Sequence, residues 1–301
     1  MKIALVIVNF HKAARVVEGI RALGRQNTVD DLHLVVVDNS TSQQEADILR
    51  TEMRKSGELV IASENLGYAR GVNLGAKAAG AFDYILLVSP DIIVEDTHAI
   101  RKMVSLMESR RSIGVLASVQ HNDDGSIVEV ARRFPSPVRQ VCRRMSPRMV
   151  NDLDLLSPLA SKAANGIIDV DWVQSSFVMI RRSLWDAMGG LDERYFLFMS
   201  DTEMCLRAHE RGMRVGVTSV VDVQADGVRA SRGGLLAIFY SKPLRMHVRD
   251  AFIYYLRHGL SQKKLARPPS RWRFSRVAGP AVMGPRAQTV ENPESNSENI
   301  W

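Results

Sequence analysis

Four apolar runs in the first 91 residues each end in groups that can hold a polar ligand. Asn9 follows IALVIV, Asp38, Asn39 and Ser40 follow LVVV, Asn65 follows LVIASE, and Ser89 and Asp91 follow YILLV. In an open parallel sheet the ligand sits beyond the carboxyl ends of the strands, so such residues face one crevice. Each alone reads as a turn former or helix cap; four together put two carboxylates and several amides around a common space. No GxGxxG follows the first run and no GxxxxGK[ST] occurs anywhere, which argues against a Rossmann dehydrogenase and a P-loop enzyme. A diphosphate bound here would need another source of positive charge. Asp91 can supply one by holding a divalent cation, Mg²⁺ or Mn²⁺, since such ions take one or two carboxylates plus phosphate oxygens.

The elements that must position these residues follow from periodicity. Strands are expected at 3–8, 32–37, 59–62, 84–88, 113–119, 170–180 and 215–223, and helices at 11–23, 43–56, 67–79, 98–110, 182–188 and 202–211. Alternating strands and helices over the first 120 residues predict an α/β domain, Rossmann-like, with a mostly parallel sheet flanked by helices. The segment 131–165 breaks the pattern with six arginines and three prolines before residue 150 and reads as a mobile loop.

Four stretches, VDNST (37–41), ENLGYARGVNLG (64–75), VSPDI (88–92) and GGLDERYFLFMSDTEMCLR (189–207), resemble in order and spacing the family-2 inverting glycosyltransferases of GT-A fold, the bacterial rhamnosyltransferases of O-antigen and surface-polysaccharide synthesis in particular. The resemblance runs from about Lys2 to Val223. It implies a GT-A domain over 1–228, with a nucleotide-binding half (1–120) and an acceptor half (166–228). It implies a nucleoside-diphosphate sugar donor, dTDP-L-rhamnose, and a saccharide or lipid-linked acceptor. By the same resemblance Asn9, Asp38, Asn39, Asn65, Gly67, Gly71, Asn73, Ser89 and Asp91 line the donor pocket, and Asp91 is the metal ligand. Trp172 and Gln174 face the acceptor, and Asp201 is the catalytic base. Inverting transfer needs one carboxylate to take the acceptor proton and a cation to steady the departing diphosphate. Asp201 also opens a helix, whose N-terminal end favours the ionised form.

Three departures from the family pattern stand out. Ser89 replaces the first carboxylate or amide of the metal motif, Ser200 replaces the glutamate before the base, and the turn after the last strand reads VDVQADGVRAS without a histidine. Asp222, Gln224 or Asp226 are the candidates to replace that histidine. A rival reading is a nonenzymatic, donor-binding or scaffold member of the same family; another is a transferase for a UDP-hexose.

Of 40 Lys and Arg against 33 Asp and Glu, twelve basic residues and a single acid, Asp250, fall in 229–276. This segment is expected to be a basic amphipathic helical extension, with Phe239, Phe252, Tyr254 and Tyr255 against an anionic membrane surface; a nucleic-acid partner is not expected, for no binding motif accompanies the charge. Residues 277–301 are expected to be a disordered tail. No apolar run reaches the roughly 18 residues that cross a bilayer, and the two cysteines form no CxxC. The expected setting is the cytoplasm, peripheral on the inner face of the cell membrane.

Overall fold

The computed structural model describes residues 1–27, 31–134, 166–226, 242–265 and 274–275. The strands are β1 (Lys2–Asn9), β2 (Asp31–Asp38), β3 (Glu58–Ile61), β4 (Tyr84–Val88), β5 (Ile92–Ile93), β6 (Ile113–Asn122), β7 (Ala131–Arg132), β8 (Ile167–Asp169), β9 (Trp172–Val173), β10 (Phe177–Arg181), β11 (Arg214–Ala225) and β12 (Phe274–Ser275). The helices are α1 (Ala13–Leu23), α2 (Gln43–Ser56), α3 (Gly67–Ala78), α4 (Ala99–Glu108), α5 (Arg182–Met188), α6 (Ser200–Glu210) and α7 (Lys242–Leu265).

One sheet carries the fold, in the order β12-β8-β11-β6-β10-β4-β1-β2-β3, with β5 alongside β11. β1 pairs in parallel with β2 and β4, β2 with β3, and β6 with β11. β10 runs antiparallel between β4 and β6. The alternation along β1 feeds two cores, as a pleated strand buried on both faces must. Ile3, Leu5 and Ile7 meet Ile20, Leu49 and Met103 of α1, α2 and α4 on one face. Ala4 and Val6 meet Val72, Leu184 and Met204 of α3, α5 and α6 on the other.

The Gly- and Ala-rich α3 lies almost on the strand backbone. A Cβ on Gly71 would stand 2.9 Å from the Val8 side chain and 3.2 Å from the Asn39 amide. A larger residue there would push the helix off β1, and with it the start of α3 that faces the crevice.

The segment 170–180, expected as one strand, is two: β9 and β10, parted at Gln174–Ser176. The break lets β9 leave the main sheet to pair with β7, so the expected loop at 131–165 opens as a strand, Ala131 opposite Val173 and Arg132 opposite Trp172. The rest of that segment, 135–165, lies outside the described residues, as does the expected tail.

The C-terminal extension is docked on the domain. Ala251 and Tyr254 of α7 pack with Tyr195, Met199 and Leu206, and Phe274–Ser275 pairs with β8. Tyr254, expected on an outer aromatic face, is wholly buried, and Tyr255 is half-buried. Val248, Phe252 and Leu256 are the apolar residues α7 turns outward; Phe239 lies outside the described residues. No described helix is long and apolar enough to cross a membrane.

Candidate active site

The ends of β1 and β2 build the first wall. The Asn9 amide group is buried and bonds Asp38 Oδ1 at 3.0 Å, Ser40 Oγ at 3.0 Å and Glu45 Oε2 at 3.1 Å, while its Oδ1 accepts the Lys12 N–H. Asp38 Oδ1 also accepts the Ser40 N–H. Asn39 Nδ2 donates to Gly67 O at 2.8 Å. This leaves two acceptors, Asp38 Oδ2 and Asn39 Oδ1, buried and without a hydrogen-bond partner. A buried acceptor without a donor is costly; a carboxylate oxygen and a neighbouring amide oxygen, both unpaired at one strand end, mark a place where a ligand can supply donors.

Backbone strain gathers at the same rim. His11 (φ 55°), Thr41 (φ 51°) and Met199 (φ 65°) are the only non-glycine residues with positive φ among the described residues. They follow β1, follow β2 and precede Asp201, respectively, and such strain is concentrated at functional sites.

The start of α3 joins this wall to the next. Asn65 is exposed and its Oδ1 caps the Gly67 N–H at 2.9 Å. Gly67 (φ +76°) lies under Phe196, whose carbonyl accepts the Tyr68 N–H at 2.6 Å. Asn73, placed in the donor pocket by the sequence, spends its amide on the loop before the base: it bonds the Leu191 backbone through both amide atoms and Glu193 Oε1 through Nδ2. Its role here is to hold that loop to α3.

Ser175 and Ser176, in the break between β9 and β10, are where three parts of the site meet. The Ser89 N–H donates to Ser176 O at 2.7 Å, fixing the turn that carries Asp91. Tyr68 Oη donates to Ser175 O at 3.1 Å. The Ser175 backbone also hydrogen-bonds the carboxylate of Asp201, which accepts the Thr202 N–H at 2.8 Å. Burial pushes Asp201 above the usual carboxylate range, and these backbone bonds and the charge of Arg132 pull it down. Arg132 stands over the Trp172 ring, 5.7 Å from its centre, and Trp172 Nε1 donates to Arg133 O. Gln174 is exposed beside them. Asp201, the expected acceptor residues and a cation therefore share one side of the crevice. Arg132 carried no sequence signal, for it is one of many arginines in an aperiodic stretch.

Of the three candidates to replace the missing histidine, strand register favours one by position. Antiparallel pairing sets Ala225 opposite Ile92, which brings Asp226 across from Asp91, and Asp226 raises the pKa of Asp91. Asp222 is instead exposed and bonded to His121. Lys12 Nζ lies 3.1 Å from Asp226 Oδ2 and bears electrostatically on Asp91. Burial is the largest influence on Asp91 and raises it, with the Lys12 charge opposing. Two half-buried carboxylates from facing strands, with a cation already drawn to them, fit a divalent metal.

Glu203, two residues after Asp201, is buried in the interior. Its Oε1 lies 2.7 Å from Arg207 Nε, and that guanidinium donates to Met188 O and Gly190 O. The pair staples the GGLDE loop to α6 and does not face the crevice.

A parallel sheet whose strand ends carry polar residues, with a base beyond the crevice, narrows the family, and the profile described as "Glycosyltransferase like family 2" matches residues 1–232. The chain belongs to this family. Among curated relatives, a stretch of 165 residues is 26% identical to the N-acetylglucosaminyl-diphospho-decaprenol L-rhamnosyltransferase of Mycobacterium tuberculosis, covering 51% of this chain and 53% of the relative. A stretch of 176 residues is 26% identical to the rhamnosyltransferase WbbL of Escherichia coli, covering 58% and 62%. The chain thus spans between half and two thirds of these relatives. Among solved structures, the mannosyltransferase PcManGT from Pyrobaculum calidifontis, in complex with GDP-Man and Mn²⁺, matches with TM-score 0.57 at 16% identity over 89% of this chain and 66% of that one. Residues 1–349 of S. aureus TarS in complex with UDP match with TM-score 0.53 at 15% identity over 75% and 60%. These likenesses establish the GT-A fold expected from the family motifs.

Proposed function

We propose that the chain is an inverting glycosyltransferase that moves L-rhamnose from dTDP-L-rhamnose to a hydroxyl of a lipid-linked or oligosaccharide acceptor in cell-surface polysaccharide synthesis. The observation that carries the reading is the pair of buried, unpartnered acceptors Asp38 Oδ2 and Asn39 Oδ1, joined to Asp201 through Gly67, Tyr68 and Ser175. Thymine offers an imide N–H to such a carboxylate, and the neighbouring deoxyribose offers its 3′-hydroxyl.

In this reading Asp38, Asn39 and the Gly67 end of α3 hold the nucleoside, and Phe10, half-exposed at the end of β1, offers a ring face at the rim. Asp91 and Asp226 would hold the divalent metal, which would neutralise charge on the leaving diphosphate. Lys12, its Nζ 3.1 Å from Asp226 Oδ2, adds positive charge beside them. The acceptor sugar lies against Trp172, with Gln174 at hand for its hydroxyls. Asp201, whose ionised form backbone N–H groups and Arg132 favour against burial, takes the acceptor proton as the oxygen attacks the anomeric carbon from the face opposite the nucleotide. The rhamnosyltransferase names of the relatives support the choice of sugar.

Calorimetric titration with dTDP, UDP and GDP, each with and without Mn²⁺, tests the site. Metal-enhanced binding of dTDP is expected, with the enhancement lost in Asp226→Asn while metal-free binding stays. Preference for UDP moves the assignment to a UDP-hexose, and binding of none removes the site. Asp201→Asn is expected to keep dTDP binding and lower turnover by several orders of magnitude; full turnover in that variant overturns the base assignment.

The outward ridge of α7, Val248, Phe252 and Leu256, with Arg245 and Arg257 exposed beside it, supports docking on an anionic membrane surface. Such placement suits a lipid-linked acceptor.

A further inference from the structure

We infer that Asp250, on the C-terminal helix, is a positioning residue for the base, so that α7 is a working part of the active site. The inference rests on the reading of Asp201 as base. Asp250 is 0% exposed, and a carboxylate so placed must be met by donors. Its Oδ2 accepts three consecutive backbone N–H groups, those of Phe196 at 3.1 Å, Leu197 at 3.0 Å and Phe198 at 3.0 Å. Its Oδ1 accepts from Arg249 Nη1 at 3.0 Å, which also reaches Arg194 O at 3.4 Å.

Three successive N–H groups converging on one anion form a nest, and the convergence fixes the backbone that presents them. That backbone leads directly into the site. Phe196 O receives the Tyr68 N–H on the donor side, over Gly67. Next comes Met199, buried and left-handed at φ 65°, a conformation a residue with a Cβ keeps only when its surroundings impose it. Ser200 and Asp201 follow at the start of α6. Residues 196–199 are thus gripped by α3 on one side and by Asp250 on the other, and the grip sets where Asp201 begins. A displacement of the base by about 1 Å is enough to cost on the order of a hundredfold in rate.

The test compares Asp250→Asn with the wild-type full chain, using dTDP release from dTDP-L-rhamnose as the turnover readout and dTDP calorimetry as the count of folded sites. The amide keeps the shape and one acceptor but loses the charge that gathers the three N–H groups. The expected result is a fall in kcat of roughly 10- to 100-fold, with the donor KM, the dTDP affinity and a stoichiometry near one unchanged. Unchanged kcat in a variant that binds dTDP normally overturns the inference. So does a loss of kcat matched by an equal loss of binding sites, which marks Asp250 as structural alone. Hydrogen exchange on the wild-type chain gives an arm independent of any variant's folding: the 196–198 amides should exchange as slowly as those of α6, and fast exchange there overturns the proposal. Asp201→Asn run in parallel separates the failures. If it retains turnover the base assignment falls; if it loses turnover while Asp250→Asn does not, only the positioning role falls.

Discussion

Burial raises Asp201, and backbone hydrogen bonds, that of Thr202 first, together with the charge of Arg132 oppose the rise, so Arg132 helps set the pH at which the proposed base is available. The active form is the carboxylate. A raised pKa means that activity is lost, as pH falls, at a higher pH than an exposed aspartate would allow. Arg132→Leu removes an opposing charge and should move the acid limb of the kcat/KM profile further upward. An unmoved limb would mean that Arg132 does not act on the base. That turn-type residues at four strand ends share one rim was legible in sequence; that they hold a donor remains a proposal. Of the three candidates for the missing histidine, strand register brings Asp226 toward Asp91. Asn73 misled: an amide within a glycine-rich motif reads the same whether it meets a nucleotide or, as here, the Leu191 backbone. Arg132 and Asp250 reach the site by tertiary packing alone, which leaves no periodic trace in sequence.

Among the elements, α3 and α6 carry the site, and each has a weak point that can be measured. Gly71→Ala sets a methyl 2.9 Å from Val8 Cγ1, within a strand that is buried on both faces. Urea denaturation should show a loss of about 1–3 kcal/mol, and nucleotide affinity should fall with it because the helix start moves. In α6, burial lifts Glu203 from 4.5 to about 7 despite Arg207. The sign follows from the protonated form being favoured on folding. The stabilisation is full below about pH 4.5 and disappears as pH rises through 7. Wild-type stability should therefore decline between pH 5 and pH 8, and Glu203→Gln should flatten that decline; equal slopes in urea melts at the two pH values would contradict it. Helix and strand limits from periodicity agreed closely with the structure except at 170–180. There the apolar pattern runs on through Trp172 and Val173, while the chain turns at Gln174–Ser176 to serve two sheets.

For the whole molecule, α7 presents one face to the domain and one away from it. Asp250, Ala251 and Tyr254 are buried, whereas Phe252 and Leu256 are 63% and 70% exposed. The full chain should sediment with vesicles containing anionic lipid at low salt and be released at high salt, since each arginine near such a surface contributes about 1 kcal/mol. Phe252→Ser with Leu256→Ser should weaken binding at all salt concentrations. Absence of salt-sensitive sedimentation by the wild type would remove the membrane from the reading. The sequence carried the amphipathic character of this helix but not which aromatic faced inward, because Tyr254 and Phe252 differ only in their position around its axis.

The antiparallel strand at the centre of the sheet bears on how the protein is made. β10 pairs with β4, some ninety residues earlier in the chain, and stands between β4 and β6. Until residues 177–181 have left the ribosome, the two halves of the sheet cannot join, and β4 and β6 each present an unpaired edge of apolar residues. The nucleotide wall is complete in sequence by residue 91, yet its partner Ser176 is synthesised eighty-five residues later. A nascent chain halted before Phe177 is thus expected to require chaperone protection, and ligand capture to begin only after residues 177–181 have emerged.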